Sequence, residues 1–347
     1  MTSTTSLGMP PMPPPTTAPT WKTAWDSALY GPGGFFRRES PVAHFRTSVH
    51  ASALFARAMV TLAHRCGLDT VVDIGAGRGE LLEQIHQLDP SLTLLGVEVA
   101  ARPAGLSEAI DWTSALPESV DGLVVANEWL DNIPCHVVEV DEGGTTRVVH
   151  VDPATGDETL GATLSDSSVP QSLQGWLSSW WQLDSREPGV RAEVGTTRDA
   201  AWADVVRRVQ RGVAVAVDYG HTKHDRPAFG TLRSYLDGAE VDVLPDGSRD
   251  VTAHVAVDSA AAGVDGRIVS QRDALHSLGL SGVRPDIELA TSAPSSYLEE
   301  LARATEAAEL TATGGLGDFR WVVSTSGGIE SPLNASDQGR DTRARQL

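Results

Sequence analysis

Apolar and polar positions follow two rhythms along this chain of 347 residues. From His50 to Arg65 the apolar residues Leu54, Phe55, Ala58 and Leu62 recur at helical spacing, which predicts a helix. Short apolar runs then alternate with helical stretches. Strands are predicted at 70–74, 92–98, near 109–112 and at 122–127, with a helix over 80–88. Such alternation predicts an α/β fold with a mostly parallel, doubly wound sheet. The rhythm breaks between 136 and 212. Val137–Val140 and Arg147–Val151 read as a hairpin around Glu142-Gly143-Gly144, and a helical stretch follows with Trp176, Trp180 and Trp181. Tryptophans at that spacing serve more often as core than as a binding box. The strand 213–218 resumes the sheet, and helix 271–278 follows it. Two runs, near 308–312 and at Phe319–Val323, are expected to complete it, the second as an antiparallel strand.

The expected organisation has six parts. A disordered Pro/Thr-rich leader spans 1–20, an N-terminal helical segment 21–66, and the first half of the ligand-binding domain 67–135. An inserted segment with the hairpin and Trp-bearing helices spans 136–212, the second half of the domain 213–324, and a disordered tail 325–347.

The chemistry gathers where the strands end, because ligands of open α/β sheets bind outside the carboxyl ends. The first strand ends in Asp73-Ile-Gly75-Ala-Gly77-Arg-Gly79-Glu80, so a glycine turn leads into a helix. A dinucleotide fingerprint would place its third glycine where Glu80 stands. An acid at a helix N-terminus is also a poor neighbour for a pyrophosphate. S-adenosylmethionine carries a sulfonium and an ammonium and no phosphate, so the acids suit it. The D-x-G-x-G-x-G turn resembles that of class I S-adenosylmethionine-dependent methyltransferases, which implies a Rossmann-like fold with an antiparallel C-terminal strand.

Roles follow from the parts of that cofactor. Glu98, about twenty residues beyond the turn, would accept from both ribose hydroxyls. Asp111 would accept from the adenine amino group with Trp112 stacking, and Asp73 lies toward the methionine amino group. Strand four ends in Asn127-Glu128-Trp129, with Asn127 on the cofactor side. Glu128 and Asp131 are three residues apart and share a face if the segment turns helical, so the pair could hold a guanidinium. The alternative is that Asp131 caps the turn and Glu128 alone faces the ligand. His221, beside Asp218 and Tyr219, is a candidate general base. His221-Thr-Lys-His224 has a metal-like spacing in a charged loop without cysteines or clustered acids, and no metal is expected there.

Charge and cysteines narrow the partners. The formal net charge is −19, which argues against nucleic acid or an anionic membrane and is compatible with a basic protein substrate. Cys66 and Cys135 are the only cysteines, so a reducing compartment fits. No apolar run is long enough to span a membrane, and the first twenty residues contain no Arg or Lys. The chain therefore reads as cytoplasmic and bacterial, with the oligomeric state open.

Colinear pieces carry a closer resemblance. They are the glycine-rich Tyr30–Phe36 segment, VVDIGAGRGELL, GVEV, ANEWLDNIP, RAEV at 191–194 and VAVAVDYGH. TLRSYL at 231–236, DVTAHVAVDS at 250–259, SQRDALHSLGL at 270–280 and GDFRWVV at 317–323 continue the series. In this order they resemble the MidA family, whose mitochondrial members assist respiratory complex I assembly and methylate an arginine of one of its subunits. The stretch Gly34-Phe-Phe-Arg-Arg-Glu-Ser-Pro-Val-Ala-His44 departs from the family's Thr-Ser-Pro-Glu-Ile-Ser-like run. The resemblance implies S-adenosyl-L-methionine binding and methyl transfer to a protein side chain, with arginine the candidate. The competing readings are a small-molecule O- or N-methyltransferase using His221, and a non-catalytic assembly factor that retains the fold.

Overall fold

The computed structural model describes residues 18–38, 53–183 and 187–333. Helices α1 (Trp21–Tyr30) and α2 (Ala53–Arg65) precede β1 (Thr70–Ile74). Next come α3 (Glu80–Leu88), β2 (Thr93–Val97), β3 (Ile110–Thr113) and β4 (Val120–Asn127). An excursion follows through β5 (His136–Val140), β6 (Thr146–Val151), β7 (Glu158–Thr163), α4 (Gln171–Trp180) and β8 (Arg191–Val194). Helix α5 (Thr196–Arg208) leads back to β9 (Val209–Asp218), then β10 (Gly220–His221), β11 (Arg233–Leu236), β12 (Ala239–Val241), β13 (Asp250–Thr252) and β14 (Val255–Ala256). The last elements are β15 (Arg267–Ser270), α6 (Gln271–Ser277), α7 (Pro294–Leu310) and β16 (Arg320–Ser326).

The main sheet has the order β15-β16-β9-β4-β1-β2-β3. Strands β3, β2, β1, β4 and β9 are mutually parallel, while β16 runs antiparallel to both β9 and β15. The order reverses direction at β1, so a crevice opens beyond the ends of β1 and β4. Successive residues of the central strands serve opposite layers, because strand side chains alternate. Val71, Leu123, Val125, Val213 and Val215 pack with residues of α2, α3, α6 and α7. Val72, Val124, Ala214 and Ala216 pack with Trp202 and Val205 of α5. Burial on both faces explains why these strands read as continuous apolar runs.

The excursion is mainly a sheet and not the helical segment expected. Its strands pair in the antiparallel order β7-β6-β5-β8, with α1 on one face and α4 on the other. Trp21, Trp25 and Leu29 pack with Val137, Val149 and Val151; Leu173, Trp176 and Leu177 pack with Val138, Val140 and Val194. Helix α5, expected within the insertion, packs on the main sheet.

The strand expected near 308–312 is the end of α7, which buries Ala304, Ala307 and Leu310 at helical spacing. The edge strand beside β16 is β15 instead. Strand β16 also runs to Ser326, past the expected domain end at 324. Of the expected leader, residues 1–17 lie outside the described residues, and Thr20 N-caps α1. The final part of the expected tail, residues 334–347, also lies outside them, as do 50–52 of the predicted helix and 39–44 of the departing segment. Among the described residues no helix is long and apolar enough to cross a membrane.

Candidate active site

The glycine turn follows from backbone geometry. Gly75 has φ +73°, and a Cβ there would lie 2.7 Å from Cδ1 of Trp129. Gly79, the N-cap of α3, has φ +82°, and its Cβ would meet Leu106 at 2.6 Å. Only glycine accepts both demands at once. Between them Gly77 donates its N–H to Oε2 of Glu98 at 3.1 Å, and Ala100 donates to Oε1 at 3.1 Å. Glu98 is thereby held at the end of β2, facing the turn.

A cleft opens in front of this turn. Its walls include Tyr30, Phe36, Gly75, Glu98, Ser114 and Glu128, with Trp129 and Asn132 beside them. Among the described residues two carboxylates and no lysine or arginine line it. Asp73 lies behind, 4% exposed, and burial raises its carboxyl well above the usual range, with Glu80 and Glu98 adding to the shift. Burial also raises Glu98, against the backbone N–H groups of Ala100, Gly77 and Val99, which favour its ionised form. This donor set fits a cationic nucleoside and opposes a phosphate. Glycine backbone, an acid for ribose hydroxyls and surrounding negative charge are the requirements of S-adenosylmethionine.

The loop after β4 carries the second set of acids. Glu128 has φ +51°, a conformation that costs a non-glycine residue about 1–3 kcal/mol. Its N–H continues the ladder to Val217 O at 2.8 Å, and Oε1 accepts from Asn127 Nδ2 at 3.1 Å. The following residues form turns and no helix. Glu128 and Asp131 therefore do not share the helical face expected of them. Glu128 lines the cleft, whereas Asp131 turns inward and is 4% exposed. Oδ2 of Asp131 accepts from the hydroxyls of Tyr219 and Thr252, and Oδ1 is buried without a partner among the described residues. Asp218, at the end of β9, accepts from the N–H groups of Leu130 and Asp131 at 3.0 and 3.2 Å, which fixes the turn.

Burial raises Asp131 and pushes Asp218 well above the usual carboxylate range, Asp218 further because Asp131 and Glu128 are near. Burial and then Asp131 push Asp250 up to about 8. Arg198 ties the assembly together from α5. Its guanidinium, 1% exposed, donates to the carbonyls of Ile133, His254 and Asp131 at 3.1, 2.8 and 2.6 Å.

Three expected residues stand elsewhere. Asp111 is exposed in mid-strand and does not line the cleft; the residues beyond β3 that do are Ser114 and Leu116. Trp112 points the other way, its ring over Gly96 and its Nε1 donating to Ala100 O at 3.2 Å, which is a packing role. His221 is 3% exposed, with Nδ1 accepting from Arg226 at 2.7 Å. Burial, then Arg226, lowers it to about 3, too weak a base for the role expected.

The imidazole that reaches solvent is His254, 5.1 Å from the Tyr219 ring. Sequence reasoning passed over it, along with Arg198, Thr252 and Asp250. The segment DVTAH that carries Asp250, Thr252 and His254 was visible as a unit, but nothing local showed that it folds back, with Arg198 of α5, onto the loop after β4. Tyr30 and Phe36 lay in the glycine-rich segment already singled out. Among the described residues no group of three or more His, Cys, Asp or Glu is placed to hold a metal ion.

The sequence model of a family of S-adenosyl-L-methionine-dependent methyltransferases matches residues 54–267. A crystal structure of a COG1565 superfamily member from Burkholderia thailandensis, bound to S-adenosyl-homocysteine, is similar at 23% identity and a TM-score of 0.70. The match covers 90% of this chain and 89% of that one. A native crystal structure of a protein of the same superfamily from the same organism matches at 24% identity and TM-score 0.70, covering 91% and 90%. At these identities the likeness is one of fold. No curated protein matches the chain.

Proposed function

The chain belongs to the family of S-adenosyl-L-methionine-dependent methyltransferases, and we propose that it methylates a protein side chain, the guanidinium of arginine first among them. The observation that carries this reading is the acid on the cleft wall: Glu128, in front of the buried Asp131 and Asp218. Such a wall favours a cationic acceptor, and the chain's net charge of −19 favours a basic partner. S-adenosyl-L-methionine, when bound, supplies an electrophilic methyl group. The chain's part is positioning. The glycine turn and Glu98 hold the nucleoside, and Glu128 accepts N–H bonds from the guanidinium, which would concentrate electron density on the nitrogen turned to the cleft and give Glu128 the proton that nitrogen releases on methylation. Asp131, Tyr219 and Thr252 fix the loop that presents Glu128.

A second reading, a small-molecule O- or N-methyltransferase, has one observation in its favour. His254 is exposed against Tyr219, and burial of part of its ring, with Arg233 and Arg198 nearby, lowers its pKa. A neutral imidazole there could take a proton from a hydroxyl or amine.

The test is methyl transfer from labelled S-adenosyl-L-methionine to arginine peptides, lysine peptides and small amines or alcohols, followed by hydrolysis and analysis of the methylated product. Methylarginine, lost in Glu128→Gln while S-adenosylhomocysteine affinity stays unchanged, is the expected outcome. Transfer to small acceptors alone, insensitive to Glu128→Gln, would establish the second reading. Binding without transfer to any acceptor would leave an assembly factor.

A further inference from the structure

A second cavity lies apart from the cofactor cleft, between the end of α4 and the loop after β10. It encloses about 480 Å³, against about 190 Å³ for the cleft. Trp180 and Trp181 form its aromatic wall, Leu183 adds an apolar side, and Lys223, His224 and Arg226 line it as well. Among the described residues no carboxylate lines it, although the chain holds 46 acidic residues against 27 basic ones. Lys223 is one of only two lysines in the sequence, the other being Lys22.

Part of this constellation holds the fold together. Trp176 donates to Asp199 at 2.7 Å, and Trp181 is 4% exposed. The Arg226 guanidinium lies 5.4 Å over the Trp181 ring and donates to Trp180 O, to Nδ1 and the carbonyl of His221, and to Asp258. Its charge is balanced by the pair with Asp258, at 2.6 Å.

Trp180 and Lys223 are not explained in this way. Trp180 is only half-buried, in a helix that buries Leu173, Trp176 and Leu177. The Lys223 ammonium sits 4.2 Å over its ring and makes no ion pair among the described residues. A lysine parked on an indole is a mobile cation, because its stem is flexible and a cation–π contact at an exposed site is weak. An arriving anion can draw the ammonium across the mouth of the cavity and leave the indole face to an apolar or planar group.

We propose that this cavity is a second binding site, for a ligand that carries a carboxylate or phosphate on an apolar, planar body. Lys223 would pair with the anion, Trp180 would stack on the body, and Leu183 would cover its edge. The proposal is independent of which acceptor is methylated.

The test is calorimetry on the full chain saturated with S-adenosylhomocysteine, with phenyl phosphate and benzoate as probes. Inorganic phosphate and benzyl alcohol serve as controls. Binding of at least one probe is expected, weakened about tenfold or more by Lys223→Glu and by Trp180→Ala, the scale of one lost charge-assisted or stacking contact. Both variants should keep full S-adenosylhomocysteine affinity, which shows that they fold. The probe that binds more tightly identifies the anion as carboxylate or phosphate. Absence of binding by both probes, or binding that neither variant weakens, overturns the proposal. So does equal binding of inorganic phosphate, because the body is then not read, or of benzyl alcohol, because the charge is not.

Discussion

The turn after β1 and the loop after β4 face one cleft and are made from opposite materials. At Gly75 and Gly79 the site is backbone, bent into positive φ where a Cβ would collide. Between Glu128 and Asp131 it is side chain, with carboxyls driven out of water and held by partners from distant segments. Arg198 reaches Asp131 across 67 residues of sequence, and Thr252 across 121. A backbone cradle specifies its own residues locally. A buried acid cluster is specified by what folds over it.

The comparison is broken most severely by removing the tie of the second loop. Arg198→Ala takes the guanidinium from the carbonyls of Ile133, His254 and Asp131, leaving Asp131 O only the Ala253 N–H and Ile133 O only the Cys135 thiol. The expected loss is about 3–5 kcal/mol in urea unfolding. Arg198→Lys should recover little, because an ammonium cannot span acceptors set for a planar fork. A loss below about 1 kcal/mol would mean that the loop after β4 holds its shape unaided.

Asp250 tests the burial of the acids through pH. Its folded carboxyl titrates at about 8. From about pH 4 to 8 the folded chain keeps a proton that the unfolded chain has released. Stability should fall as pH rises through that window, by up to about 1.4 kcal/mol per unit. Buried His221, at about 3, acts in the opposite sense below about pH 6.5. Both proteins contain it, so the difference between wild type and Asp250→Asn isolates the carboxyl. Asparagine still accepts the bond that Asn132 Nδ2 makes to Oδ1 at 2.9 Å. The variant should match the wild type near about pH 4 and gain on it steadily toward about pH 8. A gap that does not widen with pH would place Asp250 among ordinary exposed carboxylates.

These two tests concern what could not be read in advance. The parallel core was legible because β4 and β9 are buried on both faces and therefore carry continuous apolar runs. The cradle was legible because positive φ restricts it to glycine. Helix α7 was missed because its buried face is Ala304, Ala307 and Leu310, small residues that give a faint periodic signal. His221 drew attention as an imidazole beside Asp218 and Tyr219, but the chain leaves the main sheet at Asp218 and pairs anew with β14 at Gly220–His221. The His221 ring there meets Trp181 at 4.7 Å and Arg226, while Tyr219 turns to Asp131.

The cradle itself has one side chain that should matter. Glu98→Ala removes the carboxylate that faces the cleft and also releases the N–H groups of Gly77 and Ala100. Affinity for S-adenosylhomocysteine should fall roughly ten- to hundredfold, or about 1.5–3 kcal/mol. Glu98→Gln should lose less, because an amide oxygen can still accept from one of those groups. Unchanged affinity in a folded Glu98→Ala protein would leave the turn as bare backbone with no acid in the site.

Asp111 supplies the contrast at the small end. It has the residue type and the strand position of an adenine contact, one strand over from Glu98. Yet β3 places Ile110 and Trp112 toward the core and leaves Asp111 exposed between them. The residues that continue β3 into the cleft wall are Ser114 and Leu116. An exposed carboxylate without a buried partner contributes within about 0.5 kcal/mol to stability, and from that position it cannot read a nucleoside. Asp111→Ala should therefore leave both S-adenosylhomocysteine affinity and the unfolding midpoint unchanged. A tenfold loss of affinity in a folded protein would return Asp111 to the nucleoside site.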